Sequence, residues 1–420
     1  MKDNFLEIFK ENLIIKILSF FILMFPIILL IGSAAINLSI VLMNIFFLVH
    51  IIVEKKYKIF QNDVFYALIA LWFFLILNTL LNEDFNRNYS RSFGFIRFIL
   101  LIFLFSYFLS YKNYKFKKLI FNFWSIIFGI VTIDLIFEYI FGFNTLGYKT
   151  PYDGRLTGFM GDQLKIGHWY LCFSLIILAN YFNQNKIFYF LLLLSIFVSF
   201  IIGERANFIR LFIAICFLSI FARHLRFRTF VFLIFSISTL FYLAITFDKS
   251  PGNALKYRYF NQIYPIFINS SLKEINNTKQ NIYTPMYVNA YDLFTKNKLL
   301  GVGAGSYLIK SHENFRINKK INGYNTMPNT HPHQFHFEIL ATLGLPGYLF
   351  ICLFLLYFLS KSLRFYIKKK NSMNLTSFLF ILIFCIPLIP TGSFFTTYGA
   401  SMFWLNFSIM SLGNFKNLHY

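Results

Sequence analysis

Three of the eight histidines lie close together in the segment HPHQFHFEILATLGLPG, residues 331–347. The segment stands directly before a long apolar stretch, so we expect its imidazoles at one surface of a membrane. Thr330 can cap a helix there, Pro332 can open it, and Gly344 can end it before Pro346. A cluster of ionisable side chains at such a boundary suggests that chemistry takes place there.

Two more polar motifs lie between apolar stretches. GERAN, residues 203–207, is a short loop that holds Arg205 at the membrane surface, where a guanidinium can bind a phosphate through two hydrogen bonds. The alternative is that Arg205 only pairs with Glu204 or lipid headgroups. The third motif, DGRLTGFMGDQLKIGHWYL at 153–171, brings these polar residues to the same surface: Arg155, Asp162, Gln163, Lys165 and His168.

The composition predicts an all-α polytopic membrane protein. The chain is 57% hydrophobic and 21% aromatic, with 13% charged residues. We count about 12 apolar stretches long enough to cross a bilayer as helices. They are 13–33, 36–53, 64–81, 93–110, 119–141, 166–182, 187–202, 207–221, 229–247, 337–360, 375–392 and 396–414.

Lysine and arginine concentrate in alternate loops, at 54–60, 111–118, 183–186, 222–228 and 361–370. The positive-inside rule therefore predicts that both termini are cytoplasmic. Residues 1–247 would form helices 1–9, residues 248–335 one large periplasmic loop, and residues 336–420 helices 10–12. Within the loop, Thr284 and Pro285 resemble a helix start, and we expect an amphipathic helix on the membrane surface or over the bundle.

The formal charge of +22 does not indicate nucleic-acid binding. Many basic residues fall in the predicted inner loops, where they orient the protein and contact anionic lipids. No basic stripe with stacking aromatics occurs in a soluble domain. The segment GVGAGS, 301–306, lacks the lysine and hydroxyl residue of a nucleotide-binding loop, so we interpret it as a flexible turn.

Together these motifs resemble the O-antigen ligase and O-antigen polymerase superfamily. The family signature is a histidine followed by Asn, Ser or Gln, nine residues, Gly, two residues and Gly. Here it is His333 and Gln334, then 335–343, Gly344 and Gly347. The turn with Gly301 and Gly303 resembles the Gly-x-Gly of the family, and GERAN resembles its short outer loop with an essential arginine. The resemblance covers roughly 150–350.

The resemblance implies a metal-independent glycosyltransferase without cofactor, in the bacterial inner membrane, with its active site on the periplasmic face. The donor would be an undecaprenyl-pyrophosphate-linked glycan, and direct attack would invert the anomeric carbon. His333 would be the base and Arg205 would stabilise the leaving pyrophosphate, which is compatible with a neutral imidazole and a fixed cation. The implied substrate contacts also include Arg155, Arg258, Gln334, Gly301, Gly303 and Glu204.

The chain departs from the family pattern in one respect. Many members carry another arginine in the large loop upstream of the Gly-x-Gly turn, but here no arginine lies between Arg258 and Arg316. Tyr283 or Tyr287 stands about where it is expected. Arg155, Arg258 or a lysine such as Lys296 would then supply the second cation.

Simpler interpretations exist for several residues. His333 could mark a helix boundary, or could bind zinc with His331 and His336, although no paired Cys/His motif supports this. Lys165 and His168 favour interfacial anchoring over ligand binding. Asp134 and Glu138, one turn apart in a predicted span, could contact substrate or form a polar network.

Two classes of function remain open from the sequence. A membrane glycosyltransferase is favoured, and a polytopic polysaccharide transporter or flippase is the alternative. A transporter should show repeats and charged or broken helices at mid-membrane, whereas the polar motifs here lie at the outer surface. Between a polymerase and a ligase, the large loop and the segment 153–171 slightly favour a polymerase. The acceptor would be a lipid-linked repeat unit, or lipid A-core for a ligase.

The predicted topology can be tested by labelling single cysteines with a membrane-impermeant thiol reagent in a cysteine-free background. A cysteine at Asn277, in the predicted outer loop, should react in intact cells, because positive-inside orientation places it outside. A cysteine at Lys58, in a predicted inner loop, is the control and should react only after permeabilisation. Protection of the Asn277 position in intact cells would contradict the orientation.

Overall fold

The structure is a computed structural model that describes residues 12–111, 114–149, 152–222, 226–246, 254–261, 271–277 and 282–415. Residues 1–11 and 416–420, the termini that we expect in the cytoplasm, lie outside the described residues, as do parts of the predicted loop 248–335. The described chain is almost entirely helical. This confirms the predicted class, a polytopic helical membrane protein.

In the described part of the chain, ten helices precede the large loop. They are α1 Leu13–Ile31, α2 Ser33–Val53, α3 Asp63–Leu81, α4 Phe85–Gly94, α5 Ile96–Tyr111, α6 Tyr114–Phe141, α7 Ile166–Asn180, α8 Asn185–Ile201, α9 Arg205–Phe221 and α10 Arg226–Thr246. Short 3-10 helices lie at Tyr57–Phe60 and Gly158–Met160. The loop region contains α11 Ala254–Lys256, a π-helical turn Tyr257–Asn261, α12 Leu272–Asn277, α13 Tyr283–Lys296, α14 Tyr307–Ile317 and a two-stranded hairpin, β1 Lys320–Ile321 with β2 Tyr324–Asn325. Then follow α15 Phe335–Lys369, α16 Ser372–Phe384 and α17 Thr397–Phe415.

Six helical stretches of the described chain are long and apolar enough to cross a membrane. They are Leu13–Ile31, Ser33–Val53, Asp63–Leu81, Phe85–Ser110, Phe116–Phe141 and Phe335–Lys369. Each of the predicted apolar stretches overlaps a helix, but the exact number of spans stays a prediction. The stretch 375–392 is helical only as far as Phe384, because Pro387 and Pro390 follow and cannot continue a helix.

The centre of the bundle consists of α7, α16 and α17. These helices are buried on nearly every side, and α17 contacts α5, α16, α2, α7 and α15. A helix that is apolar all round belongs in the interior. The outer helices α1, α2 and α3 instead leave large apolar side chains such as Phe20, Val49 and Phe73 exposed. An exposed apolar ring of this kind is expected where a protein meets lipid.

Two buried tryptophans join neighbouring helices around Pro26 in α1. Proline has no N–H, so the carbonyl of Ile22, four residues earlier, loses its helical partner. The indole N–H of Trp124 in α6 donates to this carbonyl at 3.1 Å. The indole of Trp169 in α7 donates to the carbonyl of Pro26 at 2.9 Å. These two hydrogen bonds fix α1 against α6 and α7.

In the predicted outer loop, α13 packs against α15 and so lies over the bundle. It begins at Tyr283, and its cap residue, Ile282, makes no side-chain hydrogen bond. The predicted start, with Thr284 as cap and Pro285 as first helical residue, is therefore two residues too late. The expected apolar face is present: Met286, Ala290 and Leu293 are buried. Of the two predicted positions, on the membrane surface or over the bundle, helix α13 therefore takes the one over the bundle.

The turn at 301–303 fits against a break in α15. Gly344 has φ 66° and ψ −170° in an otherwise continuous helix. The amide of Val302 donates to the carbonyl of Ala341 at 2.8 Å, and the amide of Gly303 donates to that of Thr342 at 2.9 Å. A Cβ on Gly301 would overlap the backbone of Thr342. The predicted flexible turn is thus a fixed contact between the loop region and α15.

Replacing Gly301 with Ala should destabilise the protein. Gly301 has φ +65°, so alanine adds left-handed strain and a clash with Thr342, together about 2 kcal/mol or more. Gly161 is the matched control: its φ is also +65°, but no atom lies within 4 Å of a Cβ placed there. Thermal unfolding in detergent should show a clearly larger loss for Gly301→Ala than for Gly161→Ala. Equal losses would mean that the contact with α15 adds nothing.

Candidate functional site

Three arginines and two histidines line one cavity of about 130 Å³ at one end of the helix bundle. Its walls come from the loop before α7, the start of α9, the π-helical turn, the start of α13, the segment before α15 and the loop before α17. The lining residues are Arg155, Leu164, His168, Glu204, Arg205, Ala206, Asn207, Arg258, Tyr283, His333, Pro390 and Thr391. The cavity brings together His333, Arg205, Arg155, Arg258 and Glu204, five of the residues predicted from the sequence.

The loop that carries Arg155 is anchored to α6 by two buried carboxylates. Asp134 accepts the amide of Thr145 at 2.9 Å. Glu138 accepts the amides of Gly158 at 2.7 Å and Thr157 at 3.1 Å. Neither carboxylate lines the cavity. Of the two interpretations for these acidic residues, the structure supports the polar network.

Glycines allow the three arginine-bearing segments to touch. Gly203, φ +75°, lies against the carbonyl of Gly154, where any Cβ would collide with it. Gly154, φ +70°, in turn lies against Ala254, whose Cβ is 2.8 Å from the position of an added Cβ. The backbone of each arginine's segment thus contacts the next. Since Gly203 and Gly154 each adjoin or nearly adjoin an arginine, this packing sets the spacing of the guanidinium groups.

Arg205 is the first residue of α9, and its guanidinium makes no hydrogen bond or ion pair with the described residues. The amides of Arg205 and Ala206 have no helical acceptor at this terminus. A helix N-terminus carries partial positive charge. The guanidinium and these amides therefore offer several donors to an anion at one place in the cavity.

Arg155 forms an ion pair, and backbone carbonyls hold both Arg155 and Arg258 in place. Arg155 pairs with Glu204 at 2.9 Å and also donates to the carbonyl of Leu164 at 3.0 Å. Arg258 donates from Nε to the carbonyl of Gly203 at 3.1 Å. Burial, and then the nearby charges of Arg155 and Arg205, lower the pKa of Arg258 to about 10. Three cations around one carboxylate leave the cavity with an excess of positive charge.

His333 lies in a strained backbone conformation beside these cations. Its φ is +56°, which costs a residue other than glycine about 1–3 kcal/mol. Its amide donates to Nδ1 of His331 at 3.1 Å, and its carbonyl accepts the amide of Thr391 at 2.7 Å. Burial, and next the charge of Arg155, lower the pKa of His333 to about 4. The imidazole is therefore neutral near pH 7.

The helix after His333 starts later than its sequence suggested. Thr330 does not cap it and Pro332 does not open it: α15 begins at Phe335, with Gln334 as cap. The Gln334 side chain accepts the amide of Phe337 at 3.0 Å and is buried, so it does not line the cavity. An amide side chain in the extended cap position competes well for the free helix N–H. Gln334 thus has a structural role at the start of α15, and its contact with substrate stays a prediction.

His336 lies away from the other two histidines of the segment. Its ring nitrogens form hydrogen bonds with the Tyr348 hydroxyl at 3.1 Å and with the carbonyl of Cys385 at 2.7 Å. Two residues further along α15, the buried Glu338 accepts the hydroxyl of Ser393 and, at 2.8 Å, the amide of Phe394. These contacts fasten the 385–396 segment to α15. They thereby hold Thr391 beside His333.

The other predicted residues lie elsewhere. Lys296 pairs with Asp292 at 2.6 Å and donates to Asn314. It lines a second cavity of about 630 Å³, together with Gly301, and not the arginine cavity. Gly303 contacts Asn88 and α15. Lys165 is exposed. His168, for which the sequence favours interfacial anchoring, lines the arginine cavity.

Sequence reasoning missed Arg210 and Thr391. Arg210 is fully buried behind the cavity, where Nη1 contacts Asn207 at 3.2 Å and His168 at 3.4 Å. Its Nε and Nη2 have no hydrogen-bond partner among the described residues. An arginine inside an apolar helix is a functional suspect by default, so this residue carried a usable signal. Thr391, in the segment PTGS, carried no such signal in the sequence, because only the fold brings it to His333.

The fold and this cavity define a helical membrane protein with a cationic site, closed on one side by a neutral histidine. Residues 189–352 match the family model described as O-Antigen ligase. The match covers Arg205, Arg258 and His333, and it confirms the resemblance drawn from the motifs. The chain belongs to the O-antigen ligase and polymerase family. A comparison with curated proteins found no match.

A cationic cavity of this kind should bind inorganic pyrophosphate. Since a ligand that binds only the folded state stabilises it, millimolar pyrophosphate should raise the melting temperature of the purified protein by several degrees. Arg155→Gln, Arg205→Gln and Arg258→Gln should each reduce the shift. Lys296→Gln, outside the cavity, is the matched control and should keep it.

Sodium chloride at the same ionic strength separates binding from screening. If salt alone reproduces the shift, or if Lys296→Gln removes it while the three cavity variants retain it, pyrophosphate does not bind in the arginine cavity.

Proposed function

We propose that the protein is a glycosyltransferase that acts on an undecaprenyl-pyrophosphate-linked glycan at the periplasmic face of the bacterial inner membrane. The observation that carries this proposal is the grouping of Arg155, Arg205, Arg258 and His333 around one cavity. The donor and acceptor are lipid-linked glycans, as the family implies. The reaction needs no metal or cofactor, and both termini are cytoplasmic.

The arginines act on the leaving group. When the bond between the anomeric carbon and the pyrophosphate oxygen breaks, that oxygen takes the electron pair and negative charge grows on the pyrophosphate. Donors that are already in position stabilise such charge without reorganising. Arg205 supplies a guanidinium that has no competing partner among the described residues, and the start of α9 supplies amides. Arg155 and Arg258 provide the cations that the family's missing loop arginine would otherwise supply.

His333 acts on the acceptor. The acceptor hydroxyl oxygen forms the new bond to the anomeric carbon, on the face opposite the leaving pyrophosphate, and its proton passes to the imidazole. The configuration of that carbon is therefore inverted. A pKa of about 4 keeps the imidazole free to accept a proton but makes it a weak base. The bound pyrophosphate offsets the charge of Arg155 and so raises the pKa of His333 when the donor is present.

A polymerase is the preferred activity. The large outer loop with its own helices and the segment 153–171, which resembles polymerase-like members, support this choice. In a polymerase the acceptor is another lipid-linked repeat unit, and in a ligase it is lipid A-core. The same base and the same arginines serve both reactions.

The test is deletion of the gene, followed by gel analysis of surface glycan. Loss of a polymerase should leave core that carries a single repeat unit. Loss of a ligase should leave bare core, with polymer accumulating on the polyprenyl carrier. Bare core with long carrier-linked polymer would contradict the polymerase, and an unchanged profile would contradict both activities.

Complementation of the deletion then tests the residues. His333→Ala should restore almost nothing, since loss of a positioned base costs about 10²–10⁴ in rate. Arg205→Lys keeps the charge but loses the fork geometry, so it should be impaired. His312→Ala, an exposed histidine of α14, is the matched control and should restore the wild-type profile. Near-normal glycan with His333→Ala, at equal protein in the membrane, would remove His333 as the base.

A further inference from the structure

The strained turn at His333 is built from three consecutive residues, 331–333. His331 and His333 flank Pro332, whose ring fixes φ near −65°. The amide of His333 then donates to Nδ1 of the His331 side chain at 3.1 Å. A side-chain acceptor that takes the N–H two residues on is the arrangement that Asn and Asp form in Asx turns. Here an imidazole nitrogen takes the place of the amide or carboxylate oxygen.

The left-handed conformation of His333 has few other supports. Its carbonyl accepts the amide of Thr391, and Gln334 after it is already extended as the cap of α15. Strained residues persist only where their surroundings fix them. If the bond to His331 were lost, His333 could relax towards an extended conformation, and its imidazole would leave its position in the arginine cavity.

We propose that His331 is a positioning residue: its Nδ1 holds the amide of His333 and so keeps the proposed base directed into the arginine cavity. This inference rests on the proposed function. His331 itself does not line the cavity, so it is not a catalytic residue. Its ring lies 4.0 Å from the ring of His333 and thus also packs against it. The hydrogen bond and the packing contact are two separable roles.

The bond requires His331 to be neutral with its proton on Nε2, since only an unprotonated Nδ1 can accept. The surroundings favour this state. Burial, and next the charge of His333, lower the pKa of His331 well below its usual value. The ring is therefore neutral near pH 7.

Two substitutions separate the hydrogen bond from the packing. His331→Phe keeps an aromatic ring but has no acceptor. His331→Asn loses the ring but keeps an oxygen that can accept the amide two residues on. The assay uses purified protein and the lipid-linked glycan extracted from the deletion strain, with turnover and the Michaelis constant for this donor measured separately.

His331→Phe should lower turnover by about 10²-fold, as expected for a displaced reacting group, with the donor Michaelis constant changed by less than about threefold. His331→Asn should recover most of the turnover. If Phe retains wild-type turnover, or if Asn fails to exceed Phe, the inference is overturned. Should His331→Phe fail to accumulate in the membrane, His331→Leu, which also lacks an acceptor, takes its place in the comparison with Asn.

His333→Ala in the same assay keeps this result distinct from the proposed function. If His333→Ala transfers glycan normally, the base assignment fails and the positioning role falls with it. If His333→Ala is inactive while His331→Phe is fully active, only the role of His331 is lost. A retained pyrophosphate-induced melting shift in the His331 variants would show that the arginines are undisturbed.

Discussion

Concentrated positive charge is the constraint around which this end of the molecule is organised. Arg155, Arg205 and Arg258 share one cavity with a single carboxylate, Glu204, and Arg210 is buried behind it. Like charges held close together and out of water repel one another, and nothing among the described residues balances them fully. A polyanion would. The arrangement fits the proposed donor, whose pyrophosphate would balance these charges.

Rigid supports are needed to hold such charges together. The contacts at Gly203 and Gly154 bring the three arginine segments into backbone contact, and Asp134 and Glu138 tie the first of them to α6. On the opposite wall, Glu338 holds the 385–396 segment, and Thr391 in that segment holds His333. Buried carboxylates thus anchor both sides of the cavity. They do so through backbone amides, which leaves the arginines available to a ligand.

The sequence predicted more of the residues that line the cavity than of the residues that hold them in place. Arg205, Arg155 and His333 were identified from motifs at the ends of predicted helices, and Arg258 as a substitute for the missing loop arginine of the family that the chain resembles. Gln334, Gly301 and Gly303 were assigned to substrate because they belong to the same motifs, and in the structure they cap or pack α15. Motif spacing records that residues matter together and does not separate contact with a ligand from support of the backbone.

Other features depend on contacts distant in the chain. Thr391 reaches His333 only because α16 ends at Phe384 and an irregular segment follows, and no local pattern predicts that partner. The start of α15 was also placed too early, since Pro332 is a good first helical residue but here forms a turn that gives His333 its positive φ. Instead of entering a helix, His333 forms hydrogen bonds with the side chain of His331 and with the distant Thr391.

The most direct test of the account is the pH dependence of glycan transfer, measured as kcat/KM and as kcat between pH 4 and 8. The first reports the free enzyme and the second the complex with substrate. Because the pKa of His333 is lowered to about 4 in the free protein, kcat/KM should hold at mildly acidic pH and fall only as the pH drops through that value. In the complex, pyrophosphate offsets the arginine charge, so kcat should fall at a higher pH.

Arg155→Gln removes the charge that, after burial, lowers the pKa of His333, so it should move the fall of kcat/KM to higher pH and bring the two profiles closer. Wild-type profiles that fall at the same pH, with no change in Arg155→Gln, would contradict the claim that the arginine cavity and its anion control the base.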